Sequence, residues 1–381
     1  MRGPIRIAMI MGKMIGGGVE AVVMNYYRHI DKTKYQFDFI VDSDSTLVPE
    51  KEITRLGGKI YRISPYQKVK QYGKDLEYLF KKNNYQIVHS HINTLSVFPL
   101  RIAKKCQIPV RIAHSHSTSA KAEYKKNLVK YFLRNFSKVY ATDYMAPTNH
   151  AGEWLFGKYV FQNKGYILKN AIDINGFKFE KITREIKRKE LQLADDAIVI
   201  GNIGRMVWQK NQLFLVDIFQ KLAIQDKRYH LVLIGTGELK EKLKEKIQAY
   251  SLEKRVTLID HSCQISDYYH AMDLFLFPSN YEGLGMVAIE AQISGLPTVM
   301  SNQVPYDTAI SQDSYYLELK NDSNYWADFI NKITLHSVSE RESYRTQAIV
   351  RGYDITQEVK KLEMKYNSLL SEGNFSALKL V

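Results

Sequence analysis

The chain predicts an α/β fold of two doubly wound domains, and three observations carry that prediction. Its 381 residues are long for one core and comfortable for two domains of ordinary size. Short apolar runs alternate with longer helical patterns over most of the length, in two successive series. The runs are continuously apolar, which suits strands of a parallel sheet covered on both faces rather than half-exposed antiparallel strands.

Taken in order, the first series is "IRIAMIM" (5–11), "YQFDFIV" (35–41), "GKIYRI" (58–63), "YQIVHSH" (85–91), "VRIAHSH" (110–116) and "KVYATD" (138–143). The second is "AIVIGNIGR" (197–205), "YHLVLIGTG" (229–237), "VTLID" (256–260), "DLFLFPS" (273–279) and "PTVMSN" (297–302). A polar, charged stretch, 169–196, separates them, so the boundary is set near its start, giving domains 1–170 and 171–352. The last part, 353–381, contains "DITQEVKKLEMKYNSLL". Its Ile355, Val359, Leu362, Tyr366 and Leu369 share one helical face, with Asp354 as N-cap. It follows a completed second sheet, so that face needs a partner surface.

Composition narrows the function classes. Hydrophobic residues are 45% and charged residues 25%, a globular balance. Cys106 and Cys263 match no zinc spacing and no disulfide framework, which points to a reducing cytosol. The N-terminal run is broken by Lys13 and lacks a small-residue cleavage site, so it reads as a first buried strand rather than a signal peptide. No apolar run approaches a membrane span. The net charge of +14 attracts polyanions: nucleic acid, anionic lipid or phosphorylated substrates. No zinc finger, recognition helix or aromatic sheet motif for nucleic acid is present, so no nucleic-acid partner is expected.

Two open parallel sheets are expected to face a central cleft, with ligands beyond the carboxyl ends of the strands. Several unusual residues fall there. Gly16, Gly17 and Gly18 lie between the first strand and a helix, where backbone N–H groups can approach a phosphate. They do not form the G-x-G-x-x-G pattern of dinucleotide sites. Arg205 and Lys210 follow a strand of the second series, a placement that suits a diphosphate whose charge grows as it leaves. In "YEGLGMVAIE" (281–290), Glu282 sits on the loop after a strand and Glu290 inside the next helix, which Gly295 and Pro297 stop. Gly283 and Gly285 between them let a ligand approach the backbone. Glu290 could accept from ribose hydroxyls and Glu282 from sugar hydroxyls, although paired carboxylates also serve hydrolysis. Two "HSH" stretches, 89–91 and 114–116, end strands of the first sheet, and His116 is a candidate to touch substrate. A metal held by His89, His91, His114 and His116 lacks carboxylate partners, and no metal site is expected.

Together these features resemble the retaining nucleotide-sugar glycosyltransferases of the GT-B fold, family 4 (glycosyl transferases group 1). The match is carried by E-x7-E, here Glu282 to Glu290, by "GGVE" (17–20), "GRMVWQKN" (204–211), "LIGTGELKEKL" (234–244) and "LKNAIDINGF" (168–177), in the family's order. The resemblance implies two Rossmann-like domains, an N-terminal acceptor domain and a C-terminal donor domain, with the last helix crossing back to the first. It implies that Glu282 contacts the donor hexose, Glu290 the ribose, and Arg205 and Lys210 the departing diphosphate. Backbone N–H groups of Gly17 and Gly18 would meet the donor phosphate, and His116 would lie near the donor sugar or acceptor oxygen. It implies a UDP-sugar donor, retention by a front-face mechanism, no protein nucleophile and no metal cofactor. Ala21 departs from relatives that carry a basic residue after "GGxE".

The stretch 119–140 repeats Lys126, Lys130, Arg134 and Lys138 at i+4 around Leu128, Val129, Phe132, Leu133 and Phe136, and 66–85 has similar character. Basic amphipathic segments rich in aromatics read as membrane-surface elements, each well-placed cation adding about 1 kcal/mol on anionic lipid. A cytoplasmic enzyme, peripheral on the inner membrane face and acting on a lipid-linked saccharide in bacterial exopolysaccharide or capsule assembly, is the expectation. The base would be held near "DHSCQIS" (260–266). The competing reading is a non-catalytic GT-B scaffold that binds anionic lipid or other polyanions.

Overall fold

The computed structural model describes residues 3–116, 131–260, 264–341 and 345–378, without the side chains of 345, 346 and 373–378. The chain divides into two units, Met1–Ile172 with Asp354–Val381, and Asp173–Tyr353.

Unit 1 is built on β1 (Ile5–Gly12), β2 (Tyr35–Asp42), β3 (Lys59–Ile63), β4 (Ile87–Ser90), β5 (Val110–His114), β6 (Asp143–Ala146) and β7 (Gly165–Ile167). They form one parallel sheet in the order β3-β2-β1-β4-β5-β6-β7. The continuous apolar runs follow from burial on both faces. Ile7, Met9 and Met11 of β1 pack with Val22, Val23 and Tyr26 of the helix Gly18–His29, and Ala8 and Ile10 pack on the other face with Leu76 and Phe80 of Val69–Asn83. Buried Asp38 on β2 is paired with Arg6 and accepts from the Tyr85 hydroxyl at 2.8 Å, so the charge inside the sheet is compensated.

The closing helix Ile355–Leu378 belongs to this unit. Ile355 donates its N–H to Ile172 O at 3.0 Å, and Asp354 Oδ1 accepts from Thr356 N–H at 2.9 Å. Ile355, Val359, Leu362, Tyr366 and Leu369 all lie in the core beside β1 and β2. Each such side chain contributes about 1.5–3 kcal/mol.

Unit 2 repeats the plan with β8 (Ile198–Ile203), β9 (Tyr229–Ile234), β10 (Val256–Ile259), β11 (Leu274–Phe277), β12 (Thr298–Ser301) and β13 (Ser314–Leu317), parallel in the order β10-β9-β8-β11-β12-β13. Leu231 and Leu233 face the helices Gln212–Gln225 and Lys240–Ala249, while Val232 and Ile234 face Met286–Ile293 and Ile265–Ala271. In each unit the strand order reverses once, at β1/β4 and at β8/β11, and such switch points are where doubly wound folds bind ligands.

The structure corrects one strand and adds two. Residues 138–142 of "KVYATD" are turn, and the strand is Asp143–Ala146, because Met145 and Ala146 rather than Val139 fill the core. Strands β7 and β13 were not read from the sequence: both are short sheet edges with half-buried residues, so neither shows an apolar run.

Candidate functional site

In unit 2 the loops after β8, β9 and β11 are tied into one frame at the carboxyl end of the sheet. Gly204 N–H donates to Ile234 O at 2.9 Å, Met206 N–H to Thr236 O at 2.8 Å, and Leu239 N–H to Met206 O at 2.9 Å. A Cβ at Gly235 would lie 2.1 Å from Gly204 O, so this backbone-on-backbone contact requires glycine. Asn280 N–H donates to Gln209 O at 2.8 Å, Asn280 Nδ2 to Trp208 O at 2.7 Å, and Asn211 Nδ2 to Pro278 O at 3.0 Å. The frame fixes the backbones that carry the charged side chains.

It brings Lys210 and Glu282 together. Lys210 Nζ donates to Glu282 Oε1 at 2.7 Å, with side-chain exposures of 14% and 6%, and lies 4.8 Å from the Phe277 ring centroid. A pair this buried keeps its attraction but leaves either partner costly if the other is removed. Arg205 stands apart: its side chain is exposed, and among the described residues nothing holds its guanidinium. Its carbonyl accepts from Gln212 Nε2 at 3.0 Å, so the backbone is fixed while the cation is left to meet an anion.

Glu290 lies in the first turns of the helix Met286–Ile293, which opens at Gly285. Gly285 has φ +83° and a Cβ there would lie 3.1 Å from Phe277, so glycine makes the sharp turn that brings Glu290 near the strand end. Gly283 is half-buried on the same loop. The Tyr269 hydroxyl donates to Glu290 Oε2 at 2.8 Å and lies 3.0 Å from Val287 O. Burial pushes the Glu290 carboxyl up to about 7, opposed by the Tyr269 hydrogen bond and the charge of Lys210. Tyr269 was not singled out in the sequence, and its signal there was only an aromatic in "ISDYYHAMD".

In unit 1 the glycine turn is organised by Glu20. Its carboxylate accepts from the N–H groups of Ile15 (2.9 Å), Gly16 (2.7 Å) and Gly17 (3.0 Å). The N–H expected to face a phosphate at Gly17 is thus held by an anionic side chain of the same turn. Gly18 opens the helix, and nothing lies within 4 Å of a Cβ built there.

All four histidines of the two "HSH" stretches are buried. His89 Nδ1 lies 2.8 Å from the Tyr366 hydroxyl and His89 Nε2 lies 3.1 Å from His114 Nδ1. His91 Nδ1 lies 2.9 Å from His116 Nε2, and His116 N–H donates to Asn93 Oδ1 at 2.7 Å. Burial lowers the pKa of His116 to about 3 and drives the other three well below the usual imidazole range, reinforced by their neighbours, so the rings are neutral. His116 Nδ1 has no hydrogen-bond partner among the described residues.

Two expectations fall partly outside the described residues. Lys126, Leu128, Val129 and Lys130 of the basic segment lie there, as do residues 261–263 of the stretch assigned to the base. Within the described part, Tyr131, Phe132, Phe136 and Val139 are exposed, beside Arg134 and Lys138. Among the described residues no helix is long and apolar enough to cross a membrane.

Two doubly wound parallel sheets of this order are the plan of the GT-B fold, and comparison with known proteins agrees. The family described as "Glycosyltransferase Family 4" matches residues 16–175, and "Glycosyl transferases group 1" matches 183–351. The chain belongs to this family of glycosyltransferases and is a transferase enzyme. It is 29% identical to the glycosyltransferase EpsF of Bacillus subtilis (strain 168) over 370 residues, covering 95% of this chain and 96% of the relative. It is 27% identical to the Escherichia coli UDP-Gal:α-D-GlcNAc-diphosphoundecaprenol α-1,3-galactosyltransferase over 299 residues, 76% of each. It is similar to the capsular polysaccharide biosynthesis glycosyltransferase CapH of Staphylococcus aureus, 24% identical over 94% of this chain and 99% of the relative. The fold matches Anabaena HepE, solved in complex with UDP and glucose, with a TM-score of 0.79 at 16% identity, over 96% of this chain and 100% of that one.

Proposed function

We propose that this chain is a retaining glycosyltransferase that moves a hexosyl or N-acetylhexosaminyl unit from a UDP-sugar to a lipid-linked saccharide in bacterial surface-polysaccharide assembly. The observation that carries the reading is the buried Lys210–Glu282 pair with Glu290 within reach of the Lys210 charge, at the β8/β11 switch of the group 1 unit. The donor class is supported by HepE, solved with UDP-glucose, and the acceptor class by the undecaprenol-linked substrate of the galactosyltransferase relative.

In this reading Glu290 accepts from the ribose hydroxyls, and Arg205 and Lys210 neutralise the diphosphate as its charge grows. Glu282 holds Lys210 and accepts from the sugar. On unit 1, Gly18 N–H meets an anionic oxygen and His116 meets a sugar or acceptor hydroxyl through Nδ1. The bond between the anomeric carbon and the diphosphate oxygen breaks as the acceptor oxygen bonds to the same face. The acceptor proton passes to the leaving diphosphate, so neither a protein nucleophile nor a metal is required for transfer. The exposed aromatic and basic surface at 131–139 is assigned to an anionic membrane face, which cosedimentation with anionic and neutral vesicles checks.

The test is transfer from a panel of UDP-sugars to undecaprenyl-diphosphate-linked GlcNAc, with the anomeric configuration read by NMR. Turnover with an α-linked product from an α-donor is expected. Inversion would refute retention, and turnover with GDP-sugars alone would refute the donor class.

A further inference from the structure

The histidines do more than fill a core. In the parallel register of β4 and β5, His89 stands beside Ile112 and Ser90 beside Ala113, so one "HSH" stretch lies against the other. The rings pack face to face or tilted, with centroids 4.2 Å apart for His89–His91 and 5.2 Å for both His89–His114 and His91–His114. One ring nitrogen from each of His89, His91 and His114 lies within 4.8 Å of the other two. The 3.1 Å between His89 Nε2 and His114 Nδ1 is close to the ~3.3 Å between two nitrogens bound at about 2.0–2.1 Å around a tetrahedral ion.

Two further features fit a metal rather than plain packing. His91 Nε2, the nitrogen that ring would offer, is buried without a hydrogen-bond partner among the described residues, a costly state for a polar atom in a core. Two of the rings also have the outer partners that ligating imidazoles use. His89 Nδ1 faces the Tyr366 hydroxyl at 2.8 Å and His91 Nδ1 faces His116 Nε2 at 2.9 Å, which fixes ring orientation and leaves the opposite nitrogen to bind.

We propose that His89, His91 and His114 bind a transition-metal ion, Zn2+ in the first instance, inside unit 1. An all-imidazole set favours Zn2+, Ni2+ or copper over Mg2+ or Mn2+. Three neutral ligands leave the fourth position to water or hydroxide. The ion would pin the closing helix through Tyr366 and the His116 ring through His91. Its role is structural and separate from the Arg205 and Lys210 charges of unit 2, so the inference does not use the donor-site reading.

The full-length protein, stripped with a chelator, is titrated with Zn2+ against a chromophoric competitor, and its thermal midpoint is followed at each step. One equivalent bound, with a rise in midpoint that saturates at that equivalent, is expected. Tyr366→Phe removes only the outer partner of His89 and should weaken Zn2+ about 10-fold. His114→Gln should remove the one-equivalent event. The wild-type midpoint and Tyr366→Phe keep the test decisive should His114→Gln fail to fold. Substoichiometric Zn2+ binding by the wild type, or an affinity indifferent to both substitutions, overturns the inference.

Discussion

The two units place their candidate groups at the same point of the same kind of sheet and fill it with opposite chemistry. At the ends of β4 and β5, next to the β1/β4 switch, stand four buried neutral imidazoles, and after β1 a glycine turn whose N–H groups bind Glu20. At the β8/β11 switch stand charges: Lys210 locked to Glu282, an exposed Arg205, and a Glu290 poised near neutrality. A doubly wound sheet dictates where a ligand can sit, and the side chains at the strand ends decide which ligand. A diphosphate fits the second unit's cations, and the first unit's nitrogens suit hydroxyls or a metal.

That contrast can be sharpened with acid. In chelator-treated protein the four histidines of unit 1 must stay neutral when folded but protonate when unfolded below the ordinary imidazole range. The unfolded chain then binds more protons, so stability falls with pH by about 1.4 kcal/mol per pH unit for each ring. Asp42, pushed up to about 6 by burial, opposes one of the four. In unit 2, His230 and His270, both lowered to about 4, have the same sign, and Glu290 at about 7 opposes one of them. Between pH 6 and 5, unit 1 should lose stability more steeply than unit 2 as the pH falls. Hydrogen exchange followed by mass spectrometry reads the two units separately, and equal slopes would break the contrast.

The buried ion pair gives the next effect. Lys210→Met leaves Glu282 uncompensated and should cost unit 2 about 3 kcal/mol in urea unfolding, while abolishing transfer. Adding Glu282→Gln should recover most of the stability and none of the transfer. If the double variant is no more stable than Lys210→Met, the pair is not coupled as described.

Tyr269→Phe is the smallest change. Losing one hydrogen bond to Glu290 should weaken UDP by about 1 kcal/mol. The Tyr269 bond lowers the Glu290 pKa, so its removal should move the pH midpoint of UDP affinity upward. An unchanged midpoint would disconnect Tyr269 from the site.

Much of this was legible in the sequence. The runs from "IRIAMIM" to "PTVMSN" gave both sheets because strands buried on two faces must be apolar throughout. The Glu282–Glu290 spacing across glycines placed both acids correctly on loop and helix. The edge strands β7 and β13 escaped because an edge need not be apolar on both faces. The Lys210–Glu282 pair escaped because it joins loops 72 residues apart, which only strand order brings together. The same holds for the histidines: two "HSH" stretches say nothing of contact until β4 and β5 are known to be neighbours. The glycine turn was read as open to phosphate, whereas Glu20, three residues on from Gly17, already occupies part of it.

The central claim is that unit 2 holds a nucleoside diphosphate with Glu290 on the ribose. Titration calorimetry of UDP, without added metal, on the wild type and Glu290→Ala tests it most directly. The account predicts saturable binding by the wild type that weakens by about 1.5–3 kcal/mol in the variant, the loss of a charged hydrogen bond. Binding of UDP with equal affinity by both proteins would contradict the role of Glu290, and no binding by the wild type would contradict the donor site itself.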